Sequence, residues 1–204
     1  MLRDRMKKFL SVILAVPAIL STTISAQAAP NYIFPVQGCK VTYAHSHHNY
    51  PATDILAPKG CKFVAPTSGV IDEVNRVDRF TWKTNLGADR GGLFISMIGD
   101  DGVRYYGSHL SKIPAAMVPR LHVMAGDVIG YLGATGDSKG LAPHVHFGIS
   151  WPTPSGTNIW WVRRGELYPW PYLDAWKAGK DKSPASAVAK LLAKSGEIPK
   201  QVGY

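Results

Sequence analysis

The sequence predicts a mainly β protein, a compact antiparallel sheet or barrel-like sandwich with a short helical tail. Three observations predict it. Apolar residues recur with a period of two in runs of four to seven residues, and Gly, Pro and Asp clusters separate those runs. Gly99-Asp100-Asp101-Gly102 joins two such runs in the manner of a hairpin. Helical periodicity is scarce before Ser183. With 204 residues and 46% hydrophobic composition the chain has material for one globular core.

Residues 1–29 stand apart from that fold. Arg3, Arg5, Lys7 and Lys8 precede the apolar run Phe9 to Leu20, and small residues follow around Ala26. This is the pattern of a signal peptide cleaved after Ala28 or Ala29. The run is too short for the roughly 20 residues that span a bilayer, and no later stretch is apolar enough to do so. The expected product is exported, to the cell wall or periplasm. Removing four basic residues and Asp4 lowers the formal charge from +9 to +6. A basic exported protein is drawn to acidic surfaces, and no nucleic-acid motif or Lys/Arg stripe accompanies the charge.

Taken in order, Cys39 to Tyr43 alternates as a strand and Thr53 to Leu56 forms another, with Ala44 to Ala52 as a loop because Pro51 disfavours helix. Cys39 and Cys61 are the only cysteines. In an oxidising compartment they pair, closing a loop of 21 residues that clamps this segment at both ends and contributes about 3 kcal/mol by the chain-entropy account. Strands follow at Lys62 to Ala65 and Val70 to Val74, then a loop from Arg76 to Asp89. Gly92 to Ile98 and Val103 to Tyr106 are the arms of the hairpin. A loop with a helical turn spans Ile113 to Arg120, and Val128 to Leu132 is a strand after the turn Ala125-Gly126-Asp127. Gly133 to Gly140 is glycine-rich, and a strand follows where a nucleotide-binding loop would open a helix, so its glycines are expected to let backbone pass close to a ligand.

The strand that follows carries His144 and His146. Side chains alternate along a strand, so these two imidazoles share one face while Val145 and Phe147 take the other. Residues Trp151 to Trp176 are rich in Trp, Tyr and Pro, as expected of aromatic packing over one end of a sheet or of a face that stacks on sugar rings or contacts an extended substrate. Ser183-Pro184 opens a helix running to Lys194 and stopped by Gly196, with a loose tail beyond it. The domain organisation is therefore residues 1–29, a folded domain over 30–180 and a tail over 181–204.

The polar groups that can meet are His48 and Asp54 from the clamped loop, His109 at a strand end, and His144 and His146. Two imidazoles and a carboxylate hold zinc while leaving a fourth position for water, the arrangement of a hydrolytic site, and two histidines remain for proton transfer.

At these residues the chain resembles the lysostaphin-like (M23) zinc metallopeptidases, over about Gly38 to Ser150. The carrying segments are His48 to Asp54 with Ile55-Leu56-Ala57-Pro58-Lys59-Gly60, then Tyr105-Tyr106-Gly107-Ser108-His109-Leu110, then Gly130 to Gly136 with Pro143-His144-Val145-His146-Phe147. The resemblance implies the lysostaphin-type fold and hydrolysis of peptide bonds in peptidoglycan, within stem peptides or cross-bridges. It implies one zinc ion per chain held by His48, Asp54 and His146, with His109 and His144 beside the reacting water. The family's usual His-x-x-x-Asp spacing would place Tyr50 at the first ligand position. The wider His-His-Asn-Tyr-Pro-Ala-Thr-Asp resembles a variant within the family, and His48 is taken as the ligand ahead of His47 and His45. The competing expectation is a non-catalytic relative that binds wall and regulates another hydrolase, and a zinc carrier would need a closed four-ligand site. A monomer is expected, with specificity in the loops 76–89 and 151–164.

Overall fold

The computed structural model describes residues 32–154 and 159–202. The signal-peptide expectation lies outside the described residues.

Among the described residues nine strands form two antiparallel sheets. The larger has the order β2 (Thr53–Leu56), β9 (His144–Ser150), β6 (Arg104–Ser108), β5 (Phe94–Gly99), β4 (Gly69–Asn75), β7 (His122–Val123). The smaller has the order β1 (Val36–Gln37), β3 (Lys62–Val64), β8 (Val128–Tyr131). This is the mainly β sandwich that the sequence predicts. The hairpin also forms as expected, with Gly102 N–H donating to the Gly99 carbonyl at 2.8 Å. Cys39 to Tyr43 does not become a strand. Only Thr42 pairs there, across to Leu56 at the exposed edge of β2.

Register explains which face does what. Tyr105 lies opposite Ile149, and Gly107 opposite Phe147. These residues with Val145, Ile55, Ile95 and Met97 form the buried face, against which Phe63 of β3 packs edge-on to Phe147 at 6.3 Å. On the opposite face, Ser108 is opposite His146 and Asp54 is opposite His146 from the other side. A β-bulge between Ile71 and Glu73 lets neighbouring acids reach arginines on that face: Asp72 bonds Arg104 at 3.1 Å and Glu73 bonds Arg163 at 2.6 Å.

Beyond β9 the aromatic segment is helical, α1 (Trp160–Arg163) and α2 (Trp170–Lys177), which the sequence reading did not foresee. Pro171 sits in the first turn of α2, where its missing N–H costs nothing. Trp176 stacks on Tyr32 at 5.4 Å and meets Tyr105 and Phe147, so packing over the sheet is the role of this part of the segment. The expected last helix is α3 (Ala185–Ser195), with Val188 in the same core and Gly196 ending it at φ 75°.

The tail is not loose. Trp151 Nε1 donates to the Glu197 carbonyl and Trp161 Nε1 to the Pro199 carbonyl, both at 3.0 Å, and Arg164 donates to the Val202 carbonyl. Residues 197–202 thus strap α1 against the end of β9.

Candidate metal centre

Four strand-borne or strand-end residues meet at one place. Asp54 on β2 and His146 on β9 are cross-strand partners, and their side chains approach at 3.0 Å, Oδ1 to Nδ1. His144 is two residues earlier on β9. His109 follows β6 with φ 62°, a left-handed conformation costing a non-glycine residue about 1 kcal/mol. Its N–H bonds the Gly91 carbonyl at 2.9 Å and so holds the turn.

The third candidate ligand differs from the expectation. His47, not His48, reaches Asp54: its Nε2 lies 3.6 Å from Oδ2, and its ring is 5.0 Å from that of His146. His48 is exposed and stands edge-on to His47 at 4.8 Å. The reason is local. His47 Nδ1–H donates to the Tyr50 carbonyl at 3.2 Å, which closes a turn ahead of Pro51 and swings this ring inward, where it packs on Tyr50 at 4.5 Å. His45 is engaged elsewhere, against Asp174 at 3.1 Å and stacked on Trp170.

Hydrogen bonds to backbone carbonyls, which only accept, fix the protons on the imidazoles. His146 Nε2–H donates to the Arg164 carbonyl at 2.9 Å, so Nδ1 faces the Asp54 carboxylate. In a neutral His146 that nitrogen is a lone pair, and lone pair and carboxylate face one another as two acceptors. His47 likewise turns the lone pair of Nε2 toward Asp54. Ligand atoms of His47, Asp54 and His146 all lie within 4.8 Å of one another. A cation reconciles these acceptors, and metal-binding histidines commonly give their other N–H to a carbonyl in this way. Burial and the neighbouring His146 lower His47 to about 4, so its lone pair is available at neutral pH. Burial alone would raise Asp54, and only a protonated form of the rings, with His146 Nδ1–H donating to the carboxylate and charge on the surrounding imidazoles, pulls it below the usual carboxylate range.

His109 and His144 lie on the other side. Their rings are 4.9 Å apart, His109 is 6.0 Å from His146, and both are buried. His109 Nδ1–H donates to the Thr135 carbonyl at 2.9 Å and His144 Nδ1–H to the Ala142 carbonyl at 2.8 Å, leaving Nε2 of each as the proton-accepting atom. Burial, reinforced by His146 and His144, lowers His109 to about 3, so it stands neutral as a base.

These groups line one cavity of about 420 Å³, shared with Tyr106, Asp137, Trp160 and three arginines, Arg90, Arg163 and Arg164. Sequence reasoning missed the arginines, Tyr50 and Trp160, which sit in loops or at the four-residue α1, where no period is long enough to assign a face. Gly136 of the glycine-rich loop and Gly148 of β9 each lie against backbone. A side chain at Gly136, φ 70°, would strike the Arg90 carbonyl, and one at Gly148 would strike the Arg164 carbonyl. Both let backbone pass backbone. The second contact is what brings the Arg164 carbonyl to His146. The expected disulfide is present, Cys39–Cys61 with Cα atoms 6.1 Å apart, bracketing the loop that carries His47. Among the described residues no helix is long and apolar enough to cross a membrane.

Residues 46–159 match the sequence profile described as Peptidase family M23. Among solved structures, a chain from Ruminococcus gnavus provisionally described as the glycyl-glycine endopeptidase lytM is 23% identical with a TM-score of 0.55, over 76% of this chain and 63% of that one. The antimicrobial peptidase lysostaphin from Staphylococcus simulans is 24% identical with a TM-score of 0.52, over 78% and 59%. A Pseudomonas aeruginosa chain provisionally described as a peptidase M23 is 22% identical with a TM-score of 0.50, over 72% and 52%. The shared feature is the fold, and the chain spans about half to two thirds of the length of these proteins. No curated protein matches the chain.

Proposed function

The chain belongs to peptidase family M23, and from that membership and the geometry of the cleft we propose that it is an exported zinc endopeptidase hydrolysing peptide bonds of bacterial peptidoglycan. The observation that carries the proposal is the convergence of His47, Asp54 and His146, with lone pairs directed inward, beside two further imidazoles in one cavity. Three protein ligands rather than four leave a position for water, as a catalytic zinc site requires and a storage site does not.

When bound, zinc supplies Lewis-acid polarisation of the scissile carbonyl and acidifies a water molecule. The chain's own residues do the rest. Nε2 of His109 or His144 accepts the proton of the attacking water and returns it to the leaving amine. While it holds that proton, the same imidazole can donate from Nε2–H to the developing oxyanion, and the other ring, with Nε2 a lone pair, accepts a hydrogen bond from the attacking water. Carbonyls of Thr135 and Ala142 hold both rings in the required tautomer. The basic charge favours residence at an acidic wall.

The test is mass spectrometry of fragments released from purified peptidoglycan by the protein lacking residues 1–29, with and without a zinc chelator. Chelator-sensitive release of peptide-cleaved fragments is the expected result. No release by protein carrying one zinc per chain would overturn the enzyme and leave a wall-binding module.

A further inference from the structure

The profile match ends at residue 159, yet both imidazoles of the metal group are backed by a residue beyond it. The Arg164 carbonyl accepts from His146 Nε2–H at 2.9 Å, and the Arg164 guanidinium lies over the Tyr50 ring at 3.6 Å. Tyr50 in turn accepts His47 Nδ1–H on its carbonyl and packs its ring against the His47 imidazole at 4.5 Å. The main chain of Arg164 thus meets one imidazole directly, and its side chain meets the other through a single intermediary. Gly165, φ 141°, keeps this segment against the His47 loop, since a side chain there would strike the Pro51 carbonyl.

The two halves of Arg164 are fixed by different means. Glu166 and Leu167 N–H donate to the Ile149 carbonyl at 2.9 and 3.0 Å, which ties the main chain to β9. The guanidinium donates to the Val202 carbonyl in the strap of residues 197–202, and the strap is itself held by the indoles of Trp151 and Trp161. His47 has the greater need of such backing. Its bond to a carbonyl, 3.2 Å, is the longest of the four that set imidazole protons in the cleft, against 2.9 Å for His146 and His109 and 2.8 Å for His144. His146 is also fixed by its strand, whereas His47 stands in an irregular loop.

Resting on the zinc reading for what the group binds, we propose that Arg164 is a positioning residue for the metal group. The strap sets its side chain, so that His47 is oriented from the C-terminal tail through Arg164 and Tyr50.

The experiment compares the protein lacking residues 1–29 with three variants of it. One ends at Gly196 and lacks the strap, one carries Arg164→Ala, and one carries Val188→Ala, which opens the core under α3 without touching the strap or Arg164. Zinc affinity is read by competition with a chelating dye. Nitrogen-15 spectra of the imidazoles read the protection of His47 Nδ1–H from exchange without any metal. Zinc affinity should fall about 10- to 100-fold in the first two variants, the usual effect of losing a group that orients a ligand imidazole. In both, His47 Nδ1–H should lose protection. His146 Nε2–H should keep its protection in Arg164→Ala, because its acceptor is main chain. Val188→Ala should retain both the affinity and the protection.

An unchanged affinity and unchanged His47 protection in either of the first two variants would overturn the proposal. So would an equal loss in Val188→Ala, which would mark general loosening of the fold. Arg164→Ala decides should the shortened chain fail to fold. If the unmodified protein binds no zinc, the metal reading falls, and His47 protection alone decides whether Arg164 positions the ring.

Discussion

A His109→Ala substitution separates chemistry from metal binding. Because His109 bonds Thr135 and faces the cavity rather than the Asp54 group, kcat should fall by roughly 10²–10⁴ while zinc stays at one per chain by metal analysis. Zinc loss in that protein would place His109 among the ligands. His47→Ala should lose stoichiometric zinc and His48→Ala should keep it, the reverse outcome restoring His48. Four of these positions were legible from the sequence. His144 and His146 share a face by strand alternation, and Asp54 and His109 follow strand signals. The choice of His47 over His48 was not legible, because an irregular loop has no period and one turn to the Tyr50 carbonyl sets which ring points inward. Glu166 gives a pH prediction: burial raises it to about 7, with Arg164 pulling the other way. The folded state thus retains a proton that the unfolded chain has lost near its ordinary value of 4.5. The stability this contributes is fully present below pH 4.5 and is lost as pH rises through 7. Melting curves should find Glu166→Gln level with the unmodified protein at pH 4 and more stable at pH 8; no divergence would refute the burial argument.

At the scale of elements, the longer strands were readable, whereas the short β1 and β7 and the helices before the tail were not, and Cys39 to Tyr43 did not form the strand its alternation suggested. Period two marks β2, β6 and β9 because one side of each faces a packed core and the other a polar cleft. The four-residue α1 is too short to show a helical period, and Pro169 and Pro171 around the start of α2 read as breaks rather than as a helix start. The strap of residues 197–202 was illegible for another reason: its bonds are backbone carbonyls accepting from two distant indoles and the Arg164 guanidinium, and carbonyls leave no mark on sequence. Replacing Trp161 with Phe removes one of them and should cost about 1 kcal/mol in denaturant unfolding. Replacing Cys39 and Cys61 together with Ser should cost about 2–4 kcal/mol and weaken zinc binding, since the freed loop carries His47. Unchanged metal affinity in that protein would show that the turn at Tyr50, not the clamp, holds the ligand.

Over the whole molecule, two antiparallel sheets share one core, and the larger sheet's other face is given to polar residues around a single cavity. Sequence alternation foretold that division of faces but could not give strand order, which depends on pairings between residues far apart. The one that joins the metal group is Asp54 with His146, 92 positions apart, and the carbonyl that steadies His146 comes later still, from Arg164. Contacts of such separation form late and slowly. A chain growing from its N-terminus therefore carries His47 and Asp54 for most of its synthesis with nothing to join them. Two ligands of three hold zinc weakly, so the order of residues along the chain delays assembly of the metal group until β9 has been made.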